Sequence, residues 1–114
     1  MPASSIAHAR GAYNVVVKRE WSREEQRRAL AELAGWRYQE GKLERVFDFP
    51  TYADGAAFAG RIFLLAERRR RHPEAVCVLD GRVGVAFASG EGGPSREDVE
   101  TAALLNLLYD RCSE

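Results

Sequence analysis

The apolar positions of this chain switch between the spacing of helices, three or four residues, and the spacing of strands, two residues. Ser22 and Glu25 have the spacing of a capping box, which predicts that a first helix begins there, and Gly35 is a stop signal. From Trp36 onwards apolar and polar residues alternate, with a turn at Glu40–Gly41 and a second strand after it. The first half of the chain therefore predicts a helix followed by a β-hairpin.

The second half repeats this order. Thr51 can cap a long second helix that runs to about Arg70, Asp80–Gly81 is the turn of a second hairpin, and Ser95 opens a last helix. The core-facing stripe of the second helix is expected to be Tyr52, Ala56, Ala59, Phe63 and Ala66. The predicted fold is α+β in the order α-β-β-α-β-β-α, because a four-stranded antiparallel sheet with three helices on one face buries every apolar stripe.

Length and charge narrow the possible functions. The 114 residues suffice for one domain, which we expect at 21–114, after a partly disordered N-terminal extension at 1–20. Seventeen basic residues balance seventeen acidic ones, which argues against nucleic acid or a membrane surface as partner. The absence of a signal peptide or membrane span predicts a cytoplasmic protein. Cys77 and Cys112 lack metal-ligand spacing, so we expect no metal or cofactor and interpret Cys77 as a buried apolar residue.

Two short segments contain most of the chemically informative residues. Residues 67–74 read Glu-Arg-Arg-Arg-Arg-His-Pro-Glu at the end of the second helix, and residues 93–98 read Gly-Pro-Ser-Arg-Glu-Asp at the start of the last. Further landmarks are Gly35 and Trp36, then Leu43, Arg45, Phe47 and Phe49 in the second strand, and Ala66 before Glu67. In this order and spacing, from about Leu30 to Leu108, the chain resembles the pterin-4a-carbinolamine dehydratase family.

The resemblance implies a set of site residues from which two of the family's histidines are missing. The positions that match the family's site region are Glu67, His72, Pro73, Glu74 and Asp98, and Trp36 matches its tryptophan. The first of two adjacent family histidines is replaced by Arg71, and a later histidine falls at Ser89 or Gly90. Because the chain has only His8 and His72, no alignment restores the third histidine.

The missing histidines lead to two hypotheses about function. The family's reaction expels water from a carbinolamine carbon of a reduced pterin, with one group protonating the leaving hydroxyl and another taking a proton from ring nitrogen. Imidazole suits both tasks, whereas arginine stays protonated. One hypothesis is therefore an interaction protein without catalysis, and the other is a dehydratase that works weakly through His72 with Glu67 or Asp98. Arg71, Ser89, Gly90, Trp36, Pro73 and Glu74 are then candidates for binding a ligand or partner.

Family precedent also suggests partners. Dehydratase-like proteins without the histidines act as Rubisco assembly factors in α-carboxysomes, and animal members serve as a dimerisation cofactor of a transcription factor. The resemblance thus implies a protein partner, with the Rubisco large subunit as candidate and possible carboxysome association. It also implies a homodimer or dimer of dimers, with pterin as a possible ligand. The four arginines at 68–71 are interpreted as a solvated helix end that offsets the helix dipole, with an acidic protein surface as the alternative.

Overall fold

The computed structural model describes residues 21–90 and 92–112, so the predicted extension at 1–20, with His8, lies outside the described residues. The elements are α1 (Arg23–Ala31), β1 (Arg37–Gln39), β2 (Lys42–Asp48), α2 (Tyr52–Arg69), β3 (Ala75–Leu79), β4 (Arg82–Ala88) and α3 (Arg96–Cys112). The predicted order α-β-β-α-β-β-α is confirmed. No helix in the described ranges is long and apolar enough to cross a membrane.

The four strands form one antiparallel sheet in the order β1-β2-β4-β3. The first hairpin turns through Glu40 and Gly41, whose φ angles of 54° and 78° lie in the left-handed region. Two such residues in a two-residue loop match the twist of the flanking strands. The two hairpins meet at the central pair β2 and β4, with Leu43 opposite Phe87 and Phe47 opposite Val83.

The helices cover one face of the sheet. Alternate residues of β2 and β4 point into the core, as the two-residue period of a strand requires. The largest fully buried side chains are Phe47, Phe58, Phe87, Leu43, Ile62, Leu105, Val83 and Thr101, together with Pro94. The opposite face of the sheet carries Lys42, Glu44 and Asp48 of β2 and is exposed.

Two predictions about burial are wrong. Tyr52 and Phe63 were expected in the core stripe of α2, but they are 61% and 56% exposed, and Phe58 and Ile62 are buried instead. Ala59 and Ala66 are buried as expected. The apolar residues of α2 fit more than one stripe at helical spacing, and aromatic packing of Phe58 against Phe47 and Phe49 selects the one that is used.

Cys77 is also placed differently from the prediction. It is exposed, because Val76 and Val78 take the inward positions of β3 and the strand period turns Cys77 outward. A five-residue run of apolar residues does not reveal which alternate set faces the core.

Candidate functional site

The end of α2 determines the direction of the site residues that follow it. Arg70 adopts a left-handed conformation, with φ 57°. The N–H of Arg70 donates to the carbonyl of Glu67 at 3.2 Å, and the N–H of Arg71 donates to the carbonyl of Ala66 at 3.0 Å. These two bonds are those of a Schellman motif, which satisfies the last carbonyls of a helix and reverses the chain. The reversal brings the Arg71 side chain to the start of α3.

Two polar side chains contact the carboxylate of Asp98, and a third, Ser95, contacts one of them. Nη2 of Arg71 lies 2.9 Å from Oδ1 of Asp98, and Oγ of Ser89 lies 3.4 Å from Oδ2. Nη2 of Arg71 also lies 3.4 Å from Oγ of Ser95. The Asp98 side chain is 4% exposed and that of Arg71 is 40% exposed. We call Arg71, Ser89, Ser95 and Asp98 the Asp98 cluster.

The start of α3 stabilises this carboxylate. Oγ of Ser95 accepts a hydrogen bond from the N–H of Asp98 at 3.0 Å, as an N-cap residue does. Asp98 therefore lies in the first turn of α3, where the helix dipole favours negative charge. The cluster pairs a nearly buried anion with a permanent cation and two neutral hydroxyls.

The remaining histidine lies outside the Asp98 cluster. Nε2 of His72 is 3.2 Å from Oε1 of Glu67, and the two side chains are 67% and 80% exposed. Of the two carboxylates suggested as its partners, His72 pairs with Glu67. Pro73 follows it and is half-buried.

Glu74 is engaged at the beginning of β3. Its carboxylate forms an exposed ion pair with Lys42 at 3.2 Å, and its N–H donates to the carbonyl of Ala86 at 2.7 Å. The backbone bond extends the pairing of β3 with β4, and the ion pair links Glu74 to β2, so Glu74 contributes to the structure of the sheet.

Trp36 and Gly90 also lie outside the Asp98 cluster. Trp36 is 7% exposed, its ring packs on Phe47 and Phe87, and its indole N–H donates to Oδ1 of Asn106 at 2.8 Å. It is therefore a core residue.

The carbonyl of Gly90 accepts from the Tyr38 hydroxyl at 2.7 Å. Of the two positions suggested for the later family histidine, only Ser89 has a side chain that contacts Asp98.

The interpretation of residues 68–71 as a solvated helix end is wrong for two of the four arginines. Nε of Arg69 donates to Oγ1 of Thr101 at 3.1 Å, and its Nη2 lies 3.5 Å from Glu100. Arg71 reaches Asp98. Both arginines join α2 to α3, because the Schellman turn and the antiparallel packing of the two helices direct them there.

Sequence reasoning missed Asn106. Its Oδ1 also accepts from Nη1 of Arg45 at 2.6 Å, and its Nδ2 donates to the carbonyl of Ala34 at 2.9 Å. A single amide between Leu105 and Leu107 was the available signal, since a polar group next to a buried position needs partners.

The Asp98 cluster is suited to holding charge and to binding. A guanidinium has only donors and stays protonated, and a serine hydroxyl is a poor acid or base at neutral pH. Among the described residues, no histidine ring contacts this carboxylate. Within residues 21–90 and 92–112 no group of three His, Cys, Asp or Glu side chains is arranged to hold a metal ion.

Comparison with known proteins identifies the relatives of this chain. The family model described as Pterin 4 alpha carbinolamine dehydratase matches residues 19–108. A Rhodopseudomonas palustris (strain HaA2) protein, provisionally named pterin-4-alpha-carbinolamine dehydratase, is 35% identical over 95 residues, covering 82% of this chain and 93% of the relative.

Two solved structures share the fold. One is a transcriptional coactivator/pterin dehydratase from Brucella melitensis, with a TM-score of 0.68 and 26% identity over 80% of this chain and 99% of the other. The second is a pterin dehydratase-like protein identified as a RuBisCO assembly factor in the α-carboxysome. Its TM-score is 0.58, with 25% identity over 66% of this chain and 89% of the other.

Proposed function

Because this chain belongs to the pterin-4-alpha-carbinolamine dehydratase family, we propose that it keeps the family fold but acts by binding another protein rather than by dehydrating a pterin. The observation that supports this most is the Asp98 cluster. Arg71 stands where the family resemblance places the first histidine, and Ser89 is one of the two positions, with Gly90, at which the later histidine falls. Both Arg71 and Ser89 contact the carboxylate of Asp98. The proton-transfer groups are thus replaced by an ion pair and a hydroxyl.

The chemical consequence of this replacement is large. Loss of one positioned acid or base typically costs about a hundred- to ten-thousand-fold in rate. Two such losses are not additive, but the remaining His72–Glu67 pair is exposed to water and lies outside the cluster. A water-exposed pair gains little from the low dielectric that strengthens catalytic groups in closed sites. Dehydration by this chain is therefore expected to be slow.

We propose the Rubisco large subunit as the partner. The support is the structural neighbour identified as a RuBisCO assembly factor in the α-carboxysome, which shares the fold of this chain. On this proposal the chain works in the cytoplasm, in association with carboxysomes, and as a homodimer or dimer of dimers. The second neighbour, a transcriptional coactivator, supports protein binding as a general use of this scaffold.

Co-expression tests the assembly role directly. Rubisco subunits are produced in a bacterial host with this chain, with the Rhodopseudomonas palustris relative, or alone, and assembled Rubisco is measured on native gels and by carboxylase activity. The proposal predicts a several-fold rise in assembled enzyme with this chain, together with co-purification of the large subunit. Equal amounts in all three cultures, with no co-purification, would refute the Rubisco proposal.

Dehydration is the second candidate function, because the relatives carry that name and His72 keeps a carboxylate partner at 3.2 Å. A synthetic carbinolamine mixed with the wild-type chain or with the His72→Ala variant distinguishes the two cases. A wild-type rate well above buffer that falls about a hundredfold in His72→Ala would favour the enzyme.

A further inference from the structure

A shallow groove of about 380 Å³ runs between α2 and α3, away from the Asp98 cluster. Each helix contributes residues at i, i+3, i+4 and i+7, beginning at position 61 on α2 and at position 104 on α3. Five of these eight residues are leucines, and Leu64 and Leu107 are 63% and 59% exposed. Exposed leucines at helical spacing on two neighbouring helices form an apolar surface of the kind that receives a partner helix.

The other three residues of the groove are arginines. Arg61, Arg68 and Arg111 form no ion pair with another described residue, and no acidic residue lines the groove. Because α2 and α3 run antiparallel, Arg68 lies at one end of the leucines and Arg61 and Arg111 at the other. The groove is therefore an apolar floor between two basic ends.

This charge pattern favours one kind of occupant. A second copy of the chain docked groove to groove would bring two sets of arginines together with no acidic residue from either described groove between them, and the arginines would repel each other. Residues 1–20 of this chain are unsuited as well, since they carry Arg10, Lys18 and Arg19 against one acidic residue, Glu20. A helix with a leucine stripe and acidic flanks would complement both the floor and the ends.

We infer that the groove between α2 and α3 binds an acidic amphipathic helix of the partner protein, an inference that rests on the proposed protein-binding function and names the surface it uses. The leucine stripe of the helix covers Leu64 and Leu107, and its acidic residues meet the arginines at each end of the groove. The charged ends set the direction and specificity of binding, whereas the apolar floor supplies most of the affinity.

Peptide binding tests this without any need for Rubisco. The probe is a labelled helical peptide with leucines at i, i+3, i+4 and i+7 and glutamates on both flanks, and its matched control has lysine at each glutamate position. Fluorescence anisotropy with the full-length chain is expected to give at least about tenfold tighter binding of the glutamate peptide, with the difference shrinking at high salt.

Two variants locate the binding surface. Leu107→Asp is expected to weaken binding of the glutamate peptide by at least about tenfold, because it places a charge in the apolar floor. Arg68→Glu is expected to weaken the glutamate peptide about tenfold and to strengthen the lysine peptide. Tyr52→Asp adds the same charge at an exposed position on the first turn of α2, outside the groove, and is expected to bind like the wild type. Circular dichroism checks that each variant is folded.

The results separate this inference from the proposed function. Equal binding of both peptides, or Leu107→Asp binding like the wild type, overturns the groove inference. So does dissociation of an oligomer by Leu107→Asp in sedimentation, since a second copy would then cover the groove. If the wild-type chain and Leu107→Asp raise Rubisco assembly equally, the groove inference is wrong while the assembly role stands. If the chain binds the glutamate peptide with this specificity but leaves Rubisco unchanged, the groove inference stands and Rubisco is the wrong partner.

Discussion

Arg71 affects both the stability of the fold and the chemistry of the candidate site. Its guanidinium compensates a carboxylate that is only 4% exposed, so the side chain contributes to stability at a position where the family resemblance places a proton-transferring ring. A histidine can alternate between charged and neutral forms, whereas arginine remains a cation and only donates. The same contact that stabilises Asp98 therefore removes proton transfer from this position.

Arg71→Met tests the structural part of this statement. It is expected to lower the free energy of unfolding by about 1–2 kcal/mol, less than for a fully buried pair because the Arg71 side chain is 40% exposed. Urea denaturation measures the change. Arg82→Met is the matched control, since Arg82 pairs with Asp48 on the surface, and it is expected to cost less than about 0.5 kcal/mol. Equal effects of the two substitutions would contradict the account.

Asn106→Ala tests the polar contact beneath Trp36. The substitution leaves the indole N–H of a 7% exposed tryptophan without its acceptor and removes one of the two donors to the carbonyl of Ala34, so we expect a loss of about 2–3 kcal/mol in unfolding free energy. Gln39→Ala, which removes only an exposed contact with Arg37, serves as the control in the same urea titration. A change below about 0.5 kcal/mol for Asn106→Ala would refute the role given to this amide.

At the scale of elements, the turn between β3 and β4 packs tightly against the start of α2. The carbonyl of Gly81 accepts from the N–H of Phe49 at 2.8 Å, and a Cβ added at Gly81 would overlap the carbonyl oxygen of Phe49. The second hairpin is thereby held to the segment that connects β2 with α2. A glycine at this position is required by close approach of two backbones.

Gly81→Ala and Gly60→Ala are expected to change stability in opposite directions. Gly81→Ala forces two backbone segments apart and is expected to cost about 2 kcal/mol or more. Gly60 lies inside α2 with nothing within 4 Å of an added Cβ, so Gly60→Ala is expected to add about 1 kcal/mol through helix propensity. Thermal and urea unfolding measure both. The same sign for both changes would contradict the packing described.

The elements themselves were predictable from the sequence, because each is bounded by a local signal. Ser22, Thr51 and Ser95 cap their helices as predicted, and Glu40–Gly41 and Asp80–Gly81 turn the hairpins. These signals act over a few residues, so they can be identified without knowledge of the tertiary packing.

The site was predictable only in part. Asp98 and Arg71 were identified, but their mutual contact depends on the left-handed Arg70, and a non-glycine residue in that conformation has no clear sequence signal. The predicted burial of Tyr52 and Phe63 was wrong for a related reason. Several stripes along α2 are apolar, and packing against the sheet determines which of them is buried. The pattern of apolar and polar residues along the sequence does not specify which distant segments pack together.

At the scale of the whole molecule, the length and charge of the two edge strands determine how copies of the chain can pair. β1 is a three-residue edge that carries Arg37 and Gln39, whereas β3, the opposite edge, has five residues and no charge. Charged and short edges discourage pairing with another sheet, and uncharged edges invite it. We therefore expect β3 to pair with β3 of a second copy in the homodimer proposed above.

Lysine substitutions on β3 test this pairing. The wild-type chain is expected to have at least twice the monomer mass of 12.7 kDa in light scattering, and Cys77→Lys combined with Leu79→Lys is expected to lower the mass to that of the monomer. Val46→Lys changes an exposed residue on the central strand β2 and should leave the mass unchanged. A monomeric wild type, or a dimer that survives the two lysines, would contradict edge pairing.

The central proposal is that Arg71 and Ser89 do not perform the proton transfers of the family's histidines, and stopped-flow dehydration of a carbinolamine tests this directly. The account predicts a wild-type rate close to that of buffer, and a gain of at least about tenfold when Arg71→His and Ser89→His are combined, because both side chains face Asp98. Circular dichroism confirms that the double variant is folded. A wild-type rate at least a hundredfold above buffer, unimproved by the two histidines, would contradict the account.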